Sequence, residues 1–242
     1  MRKLLGLVLL LNLSGLGAPA AFALSDTGKA FELEGAQGTP LFFYKKDVDV
    51  KGETEIFTST YADAAGKALV IETSEFAKNG ERLIVKSYKI SQKQLGAEGA
   101  VEVKDGKAHF TYTRDGKTKT SDEKVGDDFI VGPSIVNYIQ SNWSTITAGK
   151  KIKGRLAVAD RLETVGFEYF KDGEEDVKGE KAVVVKMKPS SFIIAALVNP
   201  LYFYISNDGK RLLQMKGRTQ VKRQDGSKWK DLDALTVYDT AK

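Results

Sequence analysis

The residues able to do chemistry are few. The 242-residue chain has one histidine, His109, and no cysteine. A single imidazole cannot build a His-rich metal site, and general-base work needs a positioned partner that Ala108 and Phe110 do not offer. Without cysteine there are no disulfides, thiolate metal sites or thiol nucleophiles. Two acidic clusters remain, Asp127-Asp128 and Glu174-Glu175-Asp176, both in expected loops. A glycosidase needs two carboxylates facing each other across a site, which adjacency along the chain does not supply. Solvated loops are the preferred reading, with weak Ca²⁺ binding as the outside alternative. Patterns for P-loops, dinucleotides and a Gly-x-Ser-x-Gly elbow are missing. The expectation is a protein that is not an enzyme, with no catalytic residue, no metal and no cofactor. A hydrolase built on the acidic clusters ranks low.

What the chain offers instead is apolar surface. Pro189 to Asn207 holds no charged residue, although 29% of the chain is charged. Residues 192–198 are apolar all round, which predicts a helix buried on several sides or set against lipid. Ser190 or Ser191 is the expected cap, and Asn199-Pro200 ends the helix near Val198. Burying its five larger side chains would be worth on the order of 8–15 kcal/mol, at roughly 1.5–3 each. The stretch is marginal in length for a membrane span and is broken in its middle, so no span is expected. Leu201–Ile205 reads as a strand, Asn207-Asp208-Gly209 as a turn, and Arg211–Val221 as the returning strand. The candidate ligand-binding residues are Trp143, Phe167, Tyr169, Phe192, Ile193, Leu197, Tyr202 and Tyr204. Core is the plain reading for these aromatics; the sharper one lines a cavity between sheet and helices.

The elements that must position them are mostly strands. Asn79-Gly80, Asp105-Gly106, Asp115-Gly116, Asp172-Gly173, Asp208-Gly209 and Asp225-Gly226 supply the positive φ of tight hairpins. Between them apolar and polar residues alternate, as at Ile152–Val158, Val165–Tyr169 and Val183–Met187, the pattern of sheets with one face in water. About eleven strands are expected. Pro133 followed by Ile135, Val136, Ile139 and Trp143 predicts a helix over 133–143. The fold class is mainly β: a curved antiparallel sheet or unclosed half-barrel with two helical inserts, 133–143 and 190–198.

The N-terminus reads as a secretory signal peptide over 1–23. Arg2 and Lys3 precede an apolar run from Leu4 to Leu16, and Ala21-Phe22-Ala23 fits a cleavage site. Residues 24–242 are then one β-rich domain, periplasmic or secreted, with no lipid anchor on a cysteine. Without Arg2 and Lys3 the 37 basic residues become 35 against 32 acidic, a net of +3. Charges of both signs alternate, so no nucleic-acid partner is expected.

Late in the chain Tyr202-Phe203-Tyr204-Ile205, Asn207-Asp208-Gly209-Lys210-Arg211 and Leu212-Leu213 through Gly217 follow the hairpins and the interposed helix. With the signal peptide, this order resembles the Lol-type lipoprotein-carrier superfamily and related periplasmic proteins. The resemblance implies an unclosed barrel capped by helices, with acyl chains in its concavity. Arg155 and Arg161 are candidates for the carriers' functional arginine only by lying on strands. The leading expectation is an exported protein that binds or carries a hydrophobic, lipid-like ligand. The alternative is a structural or interaction module of the cell envelope, with a filled core and an envelope protein as partner. An outer-membrane barrel is disfavoured, because the outward strand faces carry Lys and Glu.

Overall fold

A computed structural model describes residues 24–35, 37–196 and 198–239; the signal-peptide assignment over 1–23 and Leu197 lie outside them. The strands are β1 (Leu24–Phe31), β2 (Phe42–Lys51), β3 (Thr54–Ala62), β4 (Ala68–Asn79), β5 (Arg82–Gln92), β6 (Ala97–Lys104), β7 (Lys107–Arg114) and β8 (Lys117–Lys124). A two-residue strand β9 (Phe129–Ile130) and a 3₁₀ turn over Gly132–Ser134 lead to helices α1 (Ile135–Ser141) and α2 (Trp143–Thr147). Then come β10 (Ile152–Val158), β11 (Glu163–Val177), β12 (Glu180–Pro189), α3 (Phe192–Ala195), β13 (Leu201–Ser206), β14 (Leu212–Asp225) and β15 (Lys228–Asp239).

All of the described strands belong to one mainly β, unclosed sheet in the order β8-β7-β6-β5-β4-β3-β2-β1-β15-β14-β13-β12-β11-β10-β9. Only β9–β10 is parallel. Two hairpin meanders are therefore sewn together where β1 pairs with β15, Thr27 opposite Asp239 and Phe31 opposite Leu235. Turn chemistry explains the meanders. Asp105-Gly106 and Asp115-Gly116 both hold positive φ at each residue, the condition for a type I′ turn, whose twist matches the strands it joins.

The strand count exceeds the expected eleven because β1, β2, β6, β8 and β9 lie outside the clear alternating runs. β8 is Lys-Thr-Lys-Thr-Ser-Asp-Glu-Lys and largely exposed, so it has no apolar parity to read. Such a charged edge resists pairing with another chain. Asp172-Gly173 is not a turn. It sits inside β11, where the register with β12 shifts between Lys171 and Gly173. The turn falls at Lys178-Gly179, both with positive φ. Glu174, Glu175 and Asp176 are consequently on a strand and not in a loop.

The helical inserts also differ from expectation. The first is split into α1 and α2 at Asn142. The second is a single turn, with Ser191 at its N-cap making no side-chain cap hydrogen bond. Its neighbour Ser190 donates its N–H to the Gly166 carbonyl at 2.9 Å. That bond and the one from Asn199 Nδ2 to Asp233 Oδ2 at 3.1 Å hold the two ends of the segment, with a four-residue turn between them. Phe192 is 83% exposed and Ile193 65%, so the segment is not buried all round. No described helix is long and apolar enough to cross a membrane.

Two apolar clusters occupy parts of the sheet's interior. One gathers Phe42, Phe57, Val70, Phe76, Val101 and Phe110. The other gathers Ile139, Ile146, Tyr169, Val185, Met187 and Ile205 beneath α1 and α2. The edge strand β8 is tied across to the second meander by Glu123. Its carboxylate accepts from Arg155 Nη2 at 2.6 Å, Thr164 N at 2.7 Å and Thr164 Oγ1 at 2.6 Å. Burial alone would raise the Glu123 pKa, but the Thr164 hydrogen bonds and Arg155 outweigh it and hold it below the ordinary glutamate value. Arg155 thus closes the ribbon.

Two outcomes test this arrangement. Glu123→Gln should cost about 1–2 kcal/mol in urea unfolding at pH 7, since charge-assisted bonds are replaced by neutral ones and the pair is partly exposed. Because the folded pKa is depressed, the wild-type contribution is present above the unfolded value of about 4.3 and lost as pH falls through the lower folded value; the variant should lack that acid-dependent loss. Gly209 has φ +75°, and a Cβ there would lie 2.9 Å from the Trp143 ring. Gly209→Ala should therefore cost about 1–3 kcal/mol and shift the near-UV circular dichroism of Trp143.

Candidate functional site

Between the two clusters the interior is not filled. A cavity of about 920 Å³ lies there, near the top of the range typical of small-molecule sites. Its two walls differ. Strands β10–β13 contribute Leu156, Val165, Phe167, Met187 and Phe203, an apolar wall that β14 extends with Met215 before turning polar at Arg218, Thr219, Gln220 and Lys222. Strands β2–β5 contribute Tyr44, Ser59, Tyr61, Glu72, Tyr88 and Gln92, a polar and aromatic wall. Both helical inserts reach the cavity, α1 through Ile135, Val136 and Gln140, and the α3 segment through Ile194 and Val198.

The polar wall arises from strand parity. On β4 the inward set is Val70, Glu72, Ser74 and Phe76. Leu69 and Ile71, the apolar residues that the sequence brings to notice, are on the opposite, half-exposed parity. The inward set of β3 is Phe57, Ser59 and Tyr61, and that of β5 ends in Tyr88, Ile90 and Gln92. Register then brings the polar members together. Ser74 stands opposite Tyr88 and Glu72 opposite Ile90.

Glu72 is 2% exposed. Its Oε2 accepts from the Tyr61 hydroxyl at 2.9 Å and its Oε1 from the Tyr88 hydroxyl at 2.6 Å. Tyr44 and Ser59 hydroxyls lie 3.2 Å apart beside them. Loss of water on burial pushes the Glu72 pKa up, and the two tyrosine hydrogen bonds offset only part of that. Burial first, and the Glu72 charge second, hold the Tyr61 and Tyr88 hydroxyls well above the ordinary tyrosine range. The tyrosines are therefore neutral donors throughout the physiological range.

Of the candidate binding residues, Phe167 lines the cavity. Tyr169 packs in the α1–β11 cluster with its ring 5.7 Å from Tyr138. Its hydroxyl has no hydrogen-bond partner. Trp143 packs on the hairpin at Gly209. Tyr202 and Tyr204 are on the other face of the sheet, in a small cluster with Val184 and Leu213. Phe192 and Ile193 face outward, and Leu197 is outside the described residues. The seven described residues are thus not one constellation. Tyr44, Tyr61, Glu72 and Tyr88 are not among the sequence candidates, because tyrosines on alternating strands suit core or surface equally and no directly adjacent residue marks Glu72 as buried. A signal existed: Val70-x-Glu72-x-Ser74-x-Phe76 places two polar residues on a parity bounded by large apolar ones.

His109 is exposed, its Nδ1 2.7 Å from Asp122 Oδ1. Arg161 is not on a strand but ends a 3₁₀ turn over Ala159–Arg161; it lines the cavity and pairs with Glu163 at 2.7 Å. No group of three or more metal-ligating side chains gathers among the described residues.

No known protein family and no curated protein matches the chain. Among solved structures it is similar to a β-barrel-like protein of the domain of unknown function DUF1849 from Brucella abortus. That match has 11% identity and TM-score 0.43, over 91% of this chain and 97% of the other. It is also similar to a DUF1329 family protein from Desulfovibrio piger, with 10% identity and TM-score 0.27 over 89% and 81% of the two chains. A porin-like protein from Bacteroides uniformis gives 11% identity and TM-score 0.25, over 89% and 96%. At scores this low the likenesses assign no ligand.

The raised pKa of Glu72 sets a pH signature. A raised folded value means that its contribution is fully present below the unfolded value of about 4.3 and drains as pH rises through the folded value. Glu72→Gln removes that drain. Urea unfolding of variant and wild type should show the variant's relative stability improving from pH 4 to pH 8.

Proposed function

We propose that this chain is an exported, non-enzymatic protein that binds or carries an amphipathic, lipid-like molecule in its interior cavity. The observation that carries this reading is the contrast between the two walls. An apolar surface of side chains from β10–β14 would shelter a hydrocarbon chain from water, at roughly 25 cal/mol for each Å² of apolar area removed. The hydroxyl and carboxyl groups of β2–β5 would meet a polar head. The α1 and α3 segments flank the space and would act as lid and plug. Export rests on the residue pattern of 1–23, which suits a signal peptide. A filled-core envelope module would have no need for a 920 Å³ interior space.

Protein purified without detergent and sprayed under native conditions should carry a bound amphiphile by mass spectrometry. Leu156→Trp with Met215→Trp should abolish that adduct by filling the apolar wall, while leaving thermal unfolding within a few degrees of wild type. A wild type free of adduct that also fails to bind fatty-chain probes would count against carriage and for a structural role.

A further inference from the structure

Resting on the carrier reading, the geometry points to a cationic head group, an ammonium, as the polar part of the ligand, ion-paired with Glu72 at the polar wall.

A carboxylate has about four acceptor positions on its two oxygens. Tyr61 and Tyr88 occupy one on each. No described cationic side chain forms an ion pair with Glu72, and none contributes to its titration. Several other charges around the cavity are matched within the protein, and Asp160, Lys210 and Asp239, which have no described ion pair, are exposed to solvent. Asp26 pairs with Lys46 at 2.7 Å, Lys222 with Asp231 at 2.6 Å, and Arg218 also with Asp231. Glu72 is the buried carboxylate left without a counter-ion, and it faces the cavity.

Burying a lone carboxylate is costly, and an opposite charge with hydrogen-bond geometry removes most of that cost. An ammonium brings three N–H donors to the two acceptor positions that remain. The setting is aromatic as well. Tyr61 lies 5.8 Å from Phe42 and 5.2 Å from Tyr44, and Tyr44 5.5 Å from Tyr238, ring centre to ring centre. All four rings line the cavity, and ring faces attract cations most where water is excluded. An anionic head would be repelled by Glu72. A neutral hydroxyl would leave the charge unmatched.

The test uses the full mature chain and three single-chain amphiphiles of equal length: dodecylamine, dodecanol and dodecyl sulfate, each below its micelle concentration. Calorimetric titration at pH 8 should show the amine binding about tenfold tighter than the alcohol, with the sulfate weakest, as a buried charge-assisted bond provides. Glu72→Gln should bring amine and alcohol within about twofold, chiefly by weakening the amine.

Wild-type protein at pH 4 gives an arm that needs no variant. The amine stays charged there while Glu72 is protonated, so the preference should vanish. The titratable groups around Glu72 are Tyr61 on β3, Tyr88 on β5, Tyr44 on β2 and Tyr238 on β15, with Asp26 beside Tyr44 and Tyr238 and Asp160 beside Tyr88. Equal binding of amine and alcohol at pH 8, or a preference surviving in Glu72→Gln or at pH 4, overturns the cationic head group and leaves carriage standing. Binding of none of the three overturns both.

Discussion

The shape of this protein depends on a carboxylate that closes a ribbon without completing it. Backbone pairing leaves β8 and β9 as the two ends of the sheet. Glu123, on the β8 edge, reaches across to Arg155 and Thr164 on β10 and β11. A side-chain clasp is longer and more compliant than a ladder of backbone bonds. It curls the ribbon round on itself while leaving room between the facing walls that a tightly closed barrel of few strands would fill with side chains. Cavity, walls and helical inserts all presuppose that curl.

The walls are unlike because the two meanders are unlike. The second is rich in branched and sulfur-containing side chains on its inward parity, and packs them against α1 and α2. The first puts hydroxyls and a carboxylate among its inward residues, and spends its apolar ones, such as Phe57, Phe76 and Phe110, away from the opening. Tyrosine suits this position. Its ring continues the apolar lining while its hydroxyl satisfies Glu72. The carboxylate is thereby held in one orientation by two strands that flank its own.

Much of the architecture could be read in the residues. Aspartate-glycine pairs located the tight turns, because positive φ is expensive for most side chains and cheap for glycine. The one misplaced pair, Asp172-Gly173, lies at a register shift inside a long strand, where neither residue takes positive φ. Strands such as β8, with no apolar side, could not be read by alternation at all. The 192–198 run misled for a different reason. An all-apolar sequence predicts shelter only if enough neighbours surround it, and between the tethers at Ser190 and Asn199 the residues Phe192 and Ile193 face water. The cavity's polar wall was hidden because it is assembled across register from β2 to β5, and no local segment announces it.

The pairing of β1 with β15 has a consequence for how the chain is made. Every other antiparallel neighbour arises from adjacent sequence and can zip up as soon as its hairpin emerges. This junction must wait for the last strand to meet the first, across nearly the whole polypeptide, and such closures are slow because their entropic cost precedes any reward. Before that pairing forms, the two half-sheets share no backbone ladder. A chain threaded outward from its N-terminus would expose the first meander for the longest time, so the interval before closure is when a chaperone would be of most use.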